Sequence, residues 1–177
     1  MDKKKAIINI FLDNPTAEFH IREVARLTKL NHMTVRSYLN KFIKEELLIK
    51  KSAKLFDVYT SNQQSKKWKN IKLFNNLERL RESNVVEDLE KFYDYPTVVL
   101  FGSYAHSTDT TESDIDICVL SNITGNFSTD SYKKTLKKPV SIHLFSKKRF
   151  NTMKKSNPGL INSICNGIVL SGQLEVV

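Results

Sequence analysis

Apolar residues recur at helical spacing in three stretches near the start of the chain. Between Lys4 and Leu12 the stripe is Ala6, Ile7, Ile10 and Phe11, and an Asn-Pro step in "DNPTAE" ends it. In "FHIREVARLTKL" it is Ile21, Val24 and Ala25, with Leu27 at its edge. In "NHMTVRSYLNKFIKEELL" it is Val35, Leu39, Phe42, Ile43 and Leu47, with Asn31 placed to cap the helix. The period then shortens to two. Phe56, Val58 and Thr60 alternate after a basic tip, which predicts a two-stranded hairpin. From Ser65 to Ser83 the helical spacing returns through Trp68, Ile71, Phe74, Leu77 and Leu80, a stripe that suits burial on its own chain and a seam between two copies equally. Asn84 followed by Glu87 has the form of a capping box for a short helix through Tyr93, and Pro96 stops that helix. "TVVLF" then reads as a central strand ended by Gly102-Ser103, "SDIDICVL" as a second strand and "PVSIHLF" as a third.

Three helices and a hairpin make a winged helix-turn-helix. Residues 1–60 resemble the winged helix-turn-helix DNA-binding domains of prokaryotic transcription regulators, the likeness lying in "IREVARLTKLNHMTVRSYLNKFIKEELL". In such domains the third helix enters the major groove, and here it leaves His32, Thr34, Arg36, Ser37, Asn40 and Lys41 facing outward. Those side chains are suited to bases and phosphates, with Lys50, Lys51 and Lys54 on the wing. Charge changes the picture in the same direction. Residues 1–60 carry 12 Lys/Arg against 7 Asp/Glu, more than half of the net +9 of the whole chain. A basic segment neutralises phosphates, so duplex DNA is the expected partner.

The second strand poses a separate question, because Asp114 and Asp116 stand two residues apart where a buried strand begins. On a strand they share one face, about 6.6 Å apart by the rise per residue, while Ile115, Ile117 and Val119 face the other way. Two like charges repel and resist burial unless a cation lies between them. An EF-hand is excluded, since "DTTESD" lacks the alternating oxygen ligands, the central glycine and the downstream glutamate. A Gly-Ser turn into a helix, in contrast, lets backbone N–H groups approach a phosphate. Carboxylates that hold divalent cations beside such a turn can clamp a phosphoryl displacement.

"LFGSYAHSTDTTESDIDICVL" is similar to the signature of the nucleotidyltransferase superfamily with the DNA polymerase beta-like palm, a hydrophobic-Gly-Ser step, a spacer and Asp-hydrophobic-Asp. Ten residues separate Ser103 from Asp114. The likeness is closest to the minimal nucleotidyltransferases of bacteria and archaea, antitoxin types included, and covers residues 84–177, ending in "NPGLINSICNGIVLSG". It implies that Gly102 and Ser103 bind the triphosphate of an NTP, foremost ATP, and that Asp114 and Asp116 are the catalytic pair that binds Mg²⁺. Two departures stand out. The family pattern continues Gly-Ser-x-Ala-Arg-Gly where this chain has Ala105-His106-Ser107. The family also places a third carboxylate on a later strand, and the polar-face positions of "PVSIHLF" are Ser141 and His143. Asp109, Glu112 and Asp130 are the loop carboxylates that could stand in for it.

Two cysteines, Cys118 and Cys165, are too few for a disulfide framework and lack metal-site spacing, which suggests buried thiols in a reducing cytoplasm. The N-terminal apolar run is too short for a signal peptide, and nothing approaches the length of a membrane span. The expected fold class is α+β, with a winged helix-turn-helix at 1–62, a helical connector at 63–95 and a nucleotidyltransferase-like domain with a mixed sheet at 96–177. Two functions follow. One is transfer of a nucleoside monophosphate from Mg-NTP to a hydroxyl acceptor, with an operon partner such as a cognate toxin. The other is a DNA-binding transcriptional regulator whose nucleotidyltransferase domain is catalytically degenerate and senses nucleotide or a partner.

Overall fold

A computed structural model describes residues 2–52 and 56–175. The chain divides into two compact units, residues 1–72 and 73–177.

In the first unit α1 (Lys3–Asp13), α2 (Ile21–Thr28) and α3 (His32–Lys44) enclose one core with a small antiparallel sheet of β1 (Phe19–His20), β2 (Leu48–Ser52) and β3 (Asp57–Ser61) in the order β1-β3-β2. Ile7, Phe11, Val24, Val35, Leu39 and Phe42 are fully buried there. The sheet has one strand more than the alternation predicts. Two residues are too short to show a period, and Phe19 and His20 gain their strand character by pairing with Tyr59 and Val58. The link between α2 and α3 turns at Lys29, which takes a left-handed conformation with φ of 56° and closes α2 with a bond from its N–H to the Ala25 carbonyl. Asn31 caps α3, its side chain accepting from the Thr34 N–H at 2.8 Å. Leu47 is buried but lies beyond α3, because Glu46 at φ 60° has already turned the chain toward β2.

α4 (Lys66–Ser83) contributes to both units. Trp68 and Ile71 join the first core, Leu77 and Leu80 the second, and Phe74 is 64% exposed. The stripe read from the sequence is therefore divided between two cores. The capping box at Asn84 does not form. Asn84 ends α4 in the left-handed conformation at φ 59°, which turns its side chain away from the following N–H groups, and the Ser83 hydroxyl accepts from the Val85 N–H instead.

The second unit opens with α5 (Val85–Phe92) and is built on a four-stranded mixed sheet in the order β6-β5-β4-β7. β4 (Thr97–Phe101) runs antiparallel to both β5 (Ile115–Leu120) and β7 (Ile168–Ser171), and β6 (Val140–Phe145) is parallel to β5. Side chains alternate across this sheet. Val98, Leu100, Ile115, Ile117 and Val119 face a core shared with α4 and α5. Val99, Phe101 and Cys118 face α8 (Lys147–Ser156) and α9 (Pro158–Cys165) through Phe150, Ile161 and Ile164. Cys118 is buried and Cys165 half-buried, so one of the two predicted buried thiols is partly accessible. Burial, with a smaller contribution from nearby Cys165, pushes the Cys118 thiol up to about 12, which keeps it protonated and inert. No helix among the described residues is long and apolar enough to cross a membrane.

Candidate functional site

β4 delivers the chain to Gly102, where it turns sharply into α6 (Gly102–Ala105). Gly102 has φ of +71°, a conformation that side chains strain, and it also leaves no room for one. A Cβ built on it would meet Asp116 Oδ2 at 2.6 Å. The close approach follows from register, because Phe101 and Asp116 are directly opposed in the β4–β5 pair. Asp116 and its neighbour two residues back thus reach the site from β5 while the turn reaches it from β4. Asp114 lies one residue before β5 begins and is exposed; Asp116 is partly buried.

The parallel strand β6 completes the site. Asp116 is opposite Ser141 and Cys118 opposite His143, so both polar residues of β6 stand on the face that carries the aspartates. The Ser141 hydroxyl donates to Asp114 Oδ2 at 3.3 Å. His143 Nε2 lies 3.3 Å from Asp116 Oδ1, and its ring sits edge-on to Phe101 with centroids 5.1 Å apart. Instead of a further carboxylate, β6 thus sets a hydroxyl and an imidazole against the two aspartates. Among the described residues no group of three or more His, Cys, Asp and Glu side chains gathers for a metal.

The loop between turn and aspartates is braced from residues that periodicity does not single out. Asp109 is 2% exposed. Its Oδ1 accepts from Asn76 Nδ2 at 3.0 Å, and the same amide donates to the Tyr104 carbonyl at 3.0 Å, tying α4 to the end of the Gly-Ser turn. Lys138 Nζ lies 3.6 Å from Asp109 Oδ2 and donates to the carbonyls of Thr110 and Ser113. Asp109 is thus occupied as a buried brace. Glu112 and Asp130 are exposed, Asp130 opening a single 3-10 turn (Asp130–Tyr132) before α7 (Lys133–Leu136). Ser107, where the family pattern has glycine, takes φ of 58°, and His106, where the pattern has arginine, is exposed. The backbone conformation that favours glycine is kept although the glycine is not.

Residues 83–175 match the family described as Polymerase beta, Nucleotidyltransferase. The chain belongs to that family. No curated protein and no solved structure gives a significant match. The matched span contains the mixed sheet, the Gly102 turn, Asp114 and Asp116. Members of the family typically use a divalent metal, and the donors here suit one: two carboxylates, with the Gly102 turn lying close against Asp116. A small, hard cation takes one or two protein carboxylates and completes its shell with substrate phosphates and water, so a pair of aspartates is a sufficient protein contribution.

The six positions read as DNA-facing lie on α3 of the first unit. His32, Arg36, Ser37, Asn40 and Lys41 are exposed, and Thr34 is half-buried beside the Asn31 cap. Lys41 lies 3.9 Å from Glu45, one turn on. Two lysines of β2 carry acidic partners, Lys50 with Asp57 at 2.7 Å and Lys51 with Glu18 at 2.6 Å. The hydrogen bond from Lys50 holds the Asp57 carboxyl below its ordinary value and raises that of Lys50. Lys54 lies outside the described residues.

Proposed function

We propose that this nucleotidyltransferase moves a nucleoside monophosphate from a Mg²⁺-bound NTP to a hydroxyl acceptor, and that residues 1–62 form a winged helix that holds duplex DNA. The observation that carries the first part is the close approach of Gly102 to the Asp116 carboxylate, which sets a backbone turn with exposed N–H groups directly beside a pair of acids. In this reading Gly102 and Ser103 bind the triphosphate, while Asp114 and Asp116 hold Mg²⁺. The bound cation offsets the negative charge that grows on the phosphoryl oxygens. The acceptor oxygen bonds to the α-phosphorus, the bond from that phosphorus to the β-bridging oxygen breaks, and pyrophosphate leaves as the hydroxyl proton passes to water. Ser141 and His143 orient the two carboxylates through their hydrogen bonds.

Titration calorimetry with each NTP tests this. Wild-type protein should bind at least one NTP, and only when magnesium is present. Asp116→Asn removes one charge at nearly constant volume and should abolish that heat while leaving the thermal midpoint nearly unchanged. Equal binding by both proteins, or by neither at any magnesium concentration, would favour a second reading. In that reading the domain is a degenerate sensor within a transcriptional regulator, a view supported by Ser141 and His143 standing where a carboxylate is expected.

The DNA-binding part rests on the exposed polar face of α3 and the +5 charge of residues 1–60. Replacing Arg36 and Lys41 together by alanine should lower the slope of log affinity for duplex DNA against log salt by about 2, one for each lost phosphate contact. An unchanged slope in fluorescence anisotropy would remove α3 from the interface. A cognate toxin as partner and a homodimer presenting two such helices to a two-fold operator belong to the same proposal.

A further inference from the structure

Charge is sharply segregated within the nucleotidyltransferase domain. Residues 84–130 hold 9 Asp/Glu and one Lys, whereas residues 131–174 hold 9 Lys/Arg and no acid at all. The acidic half includes the two aspartates of the candidate site. The basic half is concentrated on α8, whose ten residues "KKRFNTMKKS" include Lys147, Lys148, Arg149, Lys154 and Lys155. This helix is capped by Ser146, which accepts from the Arg149 N–H, and anchored by Phe150, 3% exposed, in the core behind β4, β5 and β6. It packs on the sheet face that also carries Asp114, Asp116, Ser141 and His143.

The outer side of α8 is unusual in what it lacks. Lys148, Asn151, Thr152, Lys155 and Ser156 line one shallow hollow along the helix, and all five are exposed. Phe150 is buried and Met153 half-buried, so the face offers no exposed apolar anchor. Insertion into a membrane surface needs such anchors, and so do the central contacts of a protein interface. Stacking of unpaired bases needs exposed aromatic rings, which α8 also lacks. Two lysines two turns apart, separated by amide and hydroxyl groups, are instead the side chains that grip a sugar-phosphate backbone. The amide and hydroxyls additionally suit the 2′-hydroxyls displayed by an A-form helix.

We propose that the outer face of α8 is a binding site for the backbone of helical RNA, distinct from the DNA-facing helix of the first unit. The site does not depend on whether Asp114 and Asp116 hold a metal, and its test leaves them intact. The full-length chain is titrated by fluorescence anisotropy with an RNA hairpin and with a DNA hairpin of the same sequence, across a series of salt concentrations. Lys148→Ala with Lys155→Ala should weaken RNA binding about tenfold at low salt and reduce the log-log salt slope by about 2, one for each lost phosphate contact. The same variant should keep wild-type affinity for the DNA hairpin, and Arg36→Ala with Lys41→Ala should behave in the converse way. An unchanged circular dichroism melt excludes unfolding as the cause, both substitutions being at exposed helix positions. The proposal is overturned if the double variant binds RNA as wild type does or loses RNA and DNA equally. It is overturned too if a polyglutamate peptide competes as well as RNA, which would make α8 a site for acidic protein. Salt-reversible self-association that vanishes in the variant would assign α8 to the acidic half of a second copy.

Discussion

Gly102→Ala should abolish magnesium-dependent nucleotide binding and destabilise the second unit. A left-handed φ of +71° costs an alanine about 1–2 kcal/mol by itself. The new methyl group would also stand 2.6 Å from Asp116 Oδ2, closer than any Cβ tolerates, so either the turn or the carboxylate must move. Asp116 is held on a central strand between β4 and β6, so the turn is the part that yields. Gly159→Ala is the matched control. Nothing lies within 4 Å of a Cβ there and the residue is in α9, so the substitution should stabilise by up to about 1 kcal/mol. Differential scanning calorimetry of the two variants, with NTP titrations of each, checks both halves. Wild-type nucleotide binding by Gly102→Ala would separate the turn from the ligand.

Lys138→Met should be the most destabilising change. The ion pair it breaks is buried on both sides, with side-chain exposures of 11% for Lys138 and 1% for Asp109. Removing the cation leaves the Asp109 carboxylate in a site water reaches poorly, and losses of that kind run to about 3–5 kcal/mol. For a unit of this size the midpoint should fall by more than about 10 °C. Adding Asp109→Asn removes the stranded charge while keeping an oxygen to accept from Asn76, so the double variant should recover part of the loss. A double variant no more stable than Lys138→Met would mean that packing, not charge, accounts for the cost. Because the brace holds the loop from Thr110 to Ser113, the single variant should also weaken NTP binding through disorder ahead of Asp114.

The helices of the first unit were legible because each buries one stripe, and a stripe of Val35, Leu39 and Phe42 has a single period that fits. β1 was not, since Phe19 and His20 become a strand by pairing with residues some forty positions on. The Gly-Ser step and the alternate aspartates were visible as local chemistry, and their pairing across β4 and β5 followed from two adjacent strands. The capping box at Asn84 failed for a reason no local pattern carries. The end of α4 needs a residue in the left-handed region, and asparagine serves that end instead of the next helix's beginning.

What the sequence determined by itself is the set of groups that depend on near neighbours: the amphipathic helices, the turn at Gly102, the acids at 114 and 116, and the division of charge. Tertiary structure alone decided the partners. It set Ser141 and His143 against the aspartates by the parallel register of β5 and β6, and turned Asp109 inward to Asn76 and Lys138. It also divided the α4 stripe between two cores. These contacts join residues 27 to 33 positions apart, and a hydrogen bond or ion pair at that separation leaves no period in the chain for a one-dimensional pattern to reveal.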